Sequence, residues 1–241
     1  MGNSLIIAQN ISKTFVAKGL FSAKKENHVL HHVDLEIYNN ETLALVGESG
    51  CGKTTLGRII LGLEKPTDGN ILFEGENIFS KKEVKKEMRK NMQMVFQDPY
   101  ASLDPKMKVE EILMEPLLAN KVYANKKEAR KKVKELLEIV GLNETHMKRY
   151  PYQFSGGQRQ RIGIARALAL EPAFIACDEP VSALDVSVQA QILNLLKEIQ
   201  KNRNLSLLFI SHDLGVVRYI ADRVAAVSYT HLRAHETRRH L

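Results

Sequence analysis

The chain has 241 residues, 44% hydrophobic and 26% charged, an ordinary globular composition with room for one large domain or two small ones. It has no run of about 18 apolar residues to span a bilayer, its first ten residues lack the basic start and long apolar stretch of a signal peptide, and Cys51 and Cys177 do not look like a disulfide framework. The net charge is +7, but lysines alternate with glutamates over 81–90 and 126–134, as on solvated faces; no nucleic acid partner is expected, and the chain reads as cytosolic.

In chain order, Leu5-Ile6-Ile7 and Val33-Asp34-Leu35-Glu36-Ile37 predict strands, with a polar, basic loop over 18–27 between them. Leu43-Ala44-Leu45-Val46 is a short apolar strand, and a helix is expected from Thr55 to Leu61. Residues 70–73 and 77–79 flank Glu74-Gly75-Glu76, a hairpin signal. From Pro105 to Leu142 the period is helical. Val133, Leu136, Leu137 and Val140 share one face, and Gly141 is placed to end that helix. Phe174-Ile175-Ala176-Cys177 and Leu207-Leu208-Phe209-Ile210 read as buried strands joined by a helix over 188–201, a parallel crossover unit. The expectation is an α/β core with a mostly helical insertion over about 98–170.

Between the strand at 43–46 and the helix after it stands Gly47-Glu48-Ser49-Gly50-Cys51-Gly52-Lys53-Thr54, which fits G-x-x-x-x-G-K-[ST]. Strand, glycine turn and helix are the context in which this pattern cradles phosphate. Glycines let backbone N–H groups point at an anion, and the helix start adds partial positive charge. Lys53 would reach the β- and γ-phosphates, and Thr54 would offer its hydroxyl to Mg²⁺. Cys51, a thiol at a helix N-terminus, is a candidate for a lowered pKa; a thiol reagent is expected to block nucleotide binding there, with MgATP protecting. Asp178-Glu179 closes the strand at 174–177. Such a pair suits a water-mediated Mg²⁺ ligand beside a carboxylate that polarises an attacking water. Ser155-Gly156-Gly157-Gln158 starts a second helix with an apolar face (Ile162, Ala165, Leu168, Ala169), and Ser155 is placed to cap it. A second anion-accepting helix start makes sense if it serves another copy of the chain.

Taken in order, these segments resemble the nucleotide-binding subunit of ATP-binding cassette (ABC) transporters, over about residues 5–227. Gln97 in Val95-Phe96-Gln97-Asp98 matches the glutamine loop. Phe154-Ser155-Gly156-Gly157-Gln158 matches the signature, Ser182-Ala183-Leu184-Asp185 the D-loop, and His212 in Ser211-His212-Asp213 the switch histidine. The resemblance implies an α/β fold: a P-loop NTPase (RecA-like) core, an N-terminal antiparallel β subdomain and an inserted α-helical subdomain. It also implies ATP and Mg²⁺, with 47–54 and Thr55 on the phosphates, Phe15 stacked on adenine, and Thr54, Gln97 and Asp178 toward the metal. Glu179, His212 and Gln97 become the catalytic set. Ser155, Gly156, Gly157, Gln158 and Asp185 would meet ATP or the interface of an opposite subunit.

Gln97-Asp98-Pro99-Tyr100-Ala101-Ser102-Leu103-Asp104-Pro105 is similar to the second ATPase subunit of dipeptide/oligopeptide importers, with nickel importers close by. That implies two transmembrane permeases, a second homologous ATPase subunit (the same chain or a relative), an extracytoplasmic solute-binding protein, and a place on the cytoplasmic face of the membrane as a peripheral subunit. Family members that act on DNA or ribosomes usually carry coiled-coil or zinc insertions or two ATPase halves, and none stands here. Residues 228–241 match nothing in the family. They resemble translated cloning read-through, so the ATPase domain is placed at 1–227.

Overall fold

Three of the apolar runs form strands that are buried at every residue in the computed structural model: β3 (Thr42–Val46), β7 (Phe174–Asp178) and β8 (Ser206–Ser211). Continuous burial rather than alternation is the mark of parallel strands covered on both faces. The structure describes residues 3–17, 25–227 and 235–238. The chain divides into two units, Met1–Arg89 with Ser206–Leu241, and Lys90–Leu205.

The first unit holds an antiparallel sheet in the order β2-β1-β4-β5, from β1 (Ser4–Ala17), β2 (Lys25–Tyr38), β4 (Asp68–Phe73) and β5 (Glu76–Asn77). The first two strands are longer than the sequence suggested. Bulges hide their continuation: Asn10 and His32 take φ of 55° and 48°, which breaks the alternation of apolar residues. Side chains repair those sites, as the His32 N–H donates to Ser12 Oγ and the Asn10 N–H to Asp34 Oδ1. Of the loop expected over 18–27, residues 25–27 are strand and 18–24 lie outside the described residues. The 74–76 hairpin is present, but its second arm is short. Asn77 turns the chain, its side chain accepting from the Phe79 N–H at 2.9 Å.

In the same unit β3 pairs in parallel with β8 and with β9 (Arg223–Ala226). The helix α1 (Lys53–Ile60) follows β3, and α7 (Leu214–Ile220) follows β8. Val217 of α7 and Ala221 just after it pack with Ala44 and Val46 of β3. The strand β10 (His235–Arg238) runs antiparallel to β9. The rest of the tail, 228–234 and 239–241, lies outside the described residues. A further helix, α2 (Lys82–Asn91), crosses the unit boundary in sequence.

The second unit carries β6 (Met92–Val95), parallel to β7, and the helices α3 (Val109–Ala119), α4 (Lys126–Ile139), α5 (Gly156–Leu168) and α6 (Val186–Arg203). The stripe on α4 is buried as its spacing requires: Val133, Leu136, Leu137 and Val140 are all 0% exposed. Each such side chain contributes about 2 kcal/mol of transfer free energy. Gly141 ends α4 with paired hydrogen bonds, Gly141 N–H to Glu138 O and Leu142 N–H to Leu137 O, the Schellman arrangement.

Candidate functional site

In the first unit β3 ends at Val46 and the chain turns through 47–52 into α1. Gly52 has φ +97°, and a Cβ there would lie 2.9 Å from the Val29 carbonyl oxygen of β2, so glycine alone fits the backbone and the space. The helix that follows differs from α3 to α7. Side chains cap α4 (Asn125), α5 (Ser155), α6 (Asp185) and α7 (Asp213), and α3 carries Glu110 and Glu111 in its first turn. By contrast, α1 has neither a side-chain cap nor an acidic first turn. Its positive end therefore lacks a negative group of its own, the arrangement that accepts an anion from outside.

Lys53 adds a charge at the same place. It is 5% exposed, and its ammonium donates to the carbonyl oxygens of Gly47 and Glu48, each at 2.8 Å. Among the described residues no carboxylate pairs with it. A buried cation held by neutral groups, two carbonyl oxygens and a thiol, keeps its attraction for an anion. Glu48, Ser49 and Gly50 are exposed along the loop, and Gly47, Thr54 and Thr55 are half-buried. Cys51 is 3% exposed with its sulfur 3.9 Å from the Lys53 ammonium, so the reagent-sensitive thiol expected from the sequence is shielded by its own loop.

The β3–β8 register sets Val46 opposite Ser211, so 47–52 and His212 leave the same ends of neighbouring strands. His212 is exposed, and Asp213 after it caps α7 by accepting from the Gly215 and Val216 N–H groups. An aspartate just before a helical turn was a readable signal that the sequence reasoning passed over. Phe15 stands on β1 with 42% of its surface exposed.

In the second unit β6 and β7 pair with Val95 opposite Cys177, and Gln97 and Glu179 each lie two residues further on. The Gln97 side-chain nitrogen donates to Glu179 Oε2 at 3.0 Å. This leaves the Gln97 carbonyl oxygen as a hard ligand for a cation, of the same chemistry as the carboxylate of Asp178, which is 5% exposed at the end of β7. Glu179 has φ +45°, in the left-handed region. No sequence signal marks that conformation, which costs a residue with a Cβ about 1 kcal/mol. Burial, and then the Asp178 charge, push the Cys177 thiol up to about 12.

Ser155 and Gln158 cap α5 reciprocally: the Gln158 N–H donates to Ser155 Oγ at 3.3 Å, and the Ser155 N–H to Gln158 Oε1 at 3.1 Å. A Cβ on Gly157 would meet Val188 Cγ1 at 2.3 Å, and one on Gly156 would meet Leu184 Cδ2 at 3.4 Å. The signature and the start of α6 are thus packed together within this unit. Asp185 accepts from the Ser187 hydroxyl and the Val188 N–H, and these bonds, the hydroxyl first, hold its carboxyl below the usual aspartate range.

Sequence reasoning missed how the loop after Gln97 is held. The Arg159 guanidinium lies 3.6 Å from the Tyr100 ring centre, and its Nε donates to Pro151 O at 2.7 Å. Arg166 donates to Ser102 O, and Gln160 to Phe96 O. Three residues of α5 therefore grip segment 96–102. Neither periodicity nor motif spacing announces such contacts.

Known proteins resemble this chain over most of its length. The sequence model of the family described as ABC transporter matches residues 30–182. The oligopeptide transport ATP-binding protein OppF of Bacillus subtilis is 57% identical over 199 residues, covering 82% of this chain and 65% of that protein. The dipeptide transport ATP-binding protein DppF of Lactococcus lactis subsp. cremoris is 53% identical over 209 residues, covering 86% and 67%. AppF of Bacillus subtilis, an oligopeptide transport ATP-binding protein, is 50% identical over 228 residues, covering 93% and 69%. The chain thus spans about two thirds of the length of the curated relatives it matches. Among solved structures, the ATP-binding cassette MJ0796, a dimer in a post-hydrolysis state bound to ADP and Pi, superposes with a TM-score of 0.83 at 29% identity, covering 98% of this chain and all (100%) of that one. The structure of cbiO1 from Clostridium perfringens gives 0.79 at 26% identity, covering 96% and 86%.

Proposed function

We propose, because the chain belongs to the ABC transporter family, that it is the ATP-binding and ATP-hydrolysing subunit of an importer of di- and oligopeptides. One observation carries the nucleotide reading: the buried Lys53 ammonium, held by two carbonyl oxygens and the Cys51 sulfur rather than by a carboxylate, at the start of α1, which has no side-chain cap of its own. The cargo reading rests on relatives 50–57% identical to this chain that are named as oligopeptide or dipeptide transport ATP-binding proteins. The reading takes 1–227 as the ATPase domain, with 98–170 as its helical insertion.

The residues divide the chemistry among them. Backbone amides of 47–54 and the Lys53 ammonium hold the triphosphate, and Thr55 supports the same turn. Phe15 offers its ring to adenine. Thr54, Asp178 and Gln97 have the oxygen chemistry to hold Mg²⁺, which when bound would neutralise charge on the β- and γ-phosphates. Glu179, held by the Gln97 amide, accepts a proton from the attacking water as its oxygen bonds to the γ-phosphorus and the bridging oxygen departs with ADP. His212 hydrogen-bonds the γ-phosphate. Ser155, Gly156, Gly157 and Gln158 of a second subunit approach the same phosphate, and Asp185 faces that subunit. ATP then favours the closed pair and hydrolysis releases it, a population shift driven by contacts that only the triphosphate makes. The proposed partners are a second ATPase subunit, two permeases and an extracytoplasmic solute-binding protein. Among the described residues no helix is long and apolar enough to cross a membrane, so membrane association in this reading runs through the permeases.

The test is Glu179→Gln. It should bind ATP normally, cease turnover and accumulate an ATP-dependent dimer in size-exclusion chromatography; hydrolysis at the wild-type rate would remove Glu179 from its role. For the cargo, the chain assembled with its permeases in vesicles should drive uptake of labelled peptide. Uptake of nickel instead would correct the cargo while keeping the ATPase.

A further inference from the structure

We propose that Lys13 is a positioning residue for Phe15, coupling the base platform to the loop that leaves the phosphate-binding helix. The proposal rests on the reading of Phe15 as the adenine platform. Lys13 and Phe15 are two apart on β1, so their side chains share one face of the strand. Lys13 is 9% exposed, although lysine ammonium groups ordinarily reach water. Three partners hold it instead. Its Nζ donates to Glu64 Oε1 at 2.5 Å and to the Lys65 carbonyl oxygen at 2.6 Å, and it lies 4.9 Å from the centre of the Phe15 ring. An ammonium has three protons, and a carboxylate, a carbonyl and an aromatic face account for them.

Glu64 and Lys65 belong to the segment that follows α1, and that segment is tied to β1 independently. The Thr67 N–H donates to Ser12 O at 2.8 Å, and the Thr14 N–H to Thr67 Oγ1 at 2.9 Å. A chain of contacts therefore runs from α1, through Glu64 and Lys13, to the Phe15 ring, all within the first unit. The ammonium occupies one face of the ring while 42% of the residue stays open to solvent. A flat base stacking on the remaining face meets a ring whose orientation is already fixed, so less ordering entropy opposes binding. The cation also withdraws electron density from the ring, which favours stacking on an aromatic base.

The test measures MgATP and inorganic tripolyphosphate binding to the whole chain by isothermal titration calorimetry. Tripolyphosphate reads the phosphate loop without the base. Lys13→Met should weaken MgATP binding about fivefold and leave tripolyphosphate unchanged, and Lys13→Arg should restore ATP affinity. In a Phe15→Leu background, Lys13→Met should add nothing. Glu64→Gln, at a half-exposed side chain, loosens the ammonium without touching the buried strand and should give a smaller shift of the same sign. Equal loss of ATP and tripolyphosphate binding in Lys13→Met, or an undiminished effect in the Phe15→Leu background, would overturn the proposal. A Phe15→Leu chain that binds ATP like the wild type would overturn the platform reading itself, and the Lys13 linkage with it.

Discussion

Gln97 donates its side-chain amide to Glu179 across 3.0 Å, and Glu179 receives it from a backbone held in the left-handed region at φ +45°. The carboxylate's aim is thus set twice, by a hydrogen bond from β6's exit and by a conformation the residue does not choose for itself. Strain of this kind persists where the surroundings enforce it. Gln97→Ala frees the carboxylate, and turnover should fall between about tenfold and a hundredfold with little change in the KM for ATP. A large rise in KM with unchanged kcat would mean that Gln97 serves binding instead.

The same strain predicts a trade between stability and activity at one position. Glu179→Gly removes the Cβ that the left-handed region penalises, so the folded chain should gain about 1 kcal/mol while losing hydrolysis. Urea denaturation of the two chains reads the difference. A destabilised Glu179→Gly chain would show that the carboxylate's contacts outweigh the backbone cost.

Gly157 has a packing duty separate from any anion. A Cβ there would stand 2.3 Å from Val188 Cγ1, and valine in a helix has little freedom to rotate away. Gly157→Ala should cost about 1–3 kcal/mol of stability, and a second change, Val188→Ala, should return most of it. Thermal melts of the single and double variants decide the point. If Val188→Ala gives no rescue, the clash is not what glycine avoids.

Cys177 predicts a pH dependence with a definite sign. Burial raises its thiol from an ordinary value of 9.0 to about 12. The unfolded chain releases that proton near its ordinary value while the folded chain keeps it. The contribution is therefore fully present below that ordinary value and is lost as pH rises toward the folded value, at about 1.4 kcal/mol per pH unit for one proton. Cys177→Ala should flatten that part of the alkaline stability curve, measured as the difference between the two chains. Parallel curves would contradict the assignment.

What the sequence made legible followed physical locality. The loop 47–54, the Schellman end at Gly141 and the α4 stripe are written in consecutive or periodic residues, and short-range geometry enforces them. The full reach of β1 and β2 was not legible, because bulges at Asn10 and His32 shift the alternation on which such reading depends. Also hidden were the left-handed Glu179, the Tyr100–Arg159 stack and the grip of Lys13 on Phe15. The two ring contacts join residues whose individual types say nothing of their partner. Glu179's conformation is imposed by its surroundings, against the local preference of a glutamate.

The most direct measurement is ATP turnover per chain across a dilution series, for the wild type and for Ser155→Arg. If a second subunit must bring α5 to the terminal phosphate, turnover per chain falls on dilution and Ser155→Arg abolishes it at every concentration. Turnover that stays constant to the lowest concentration, and is indifferent to Ser155→Arg, would contradict the account.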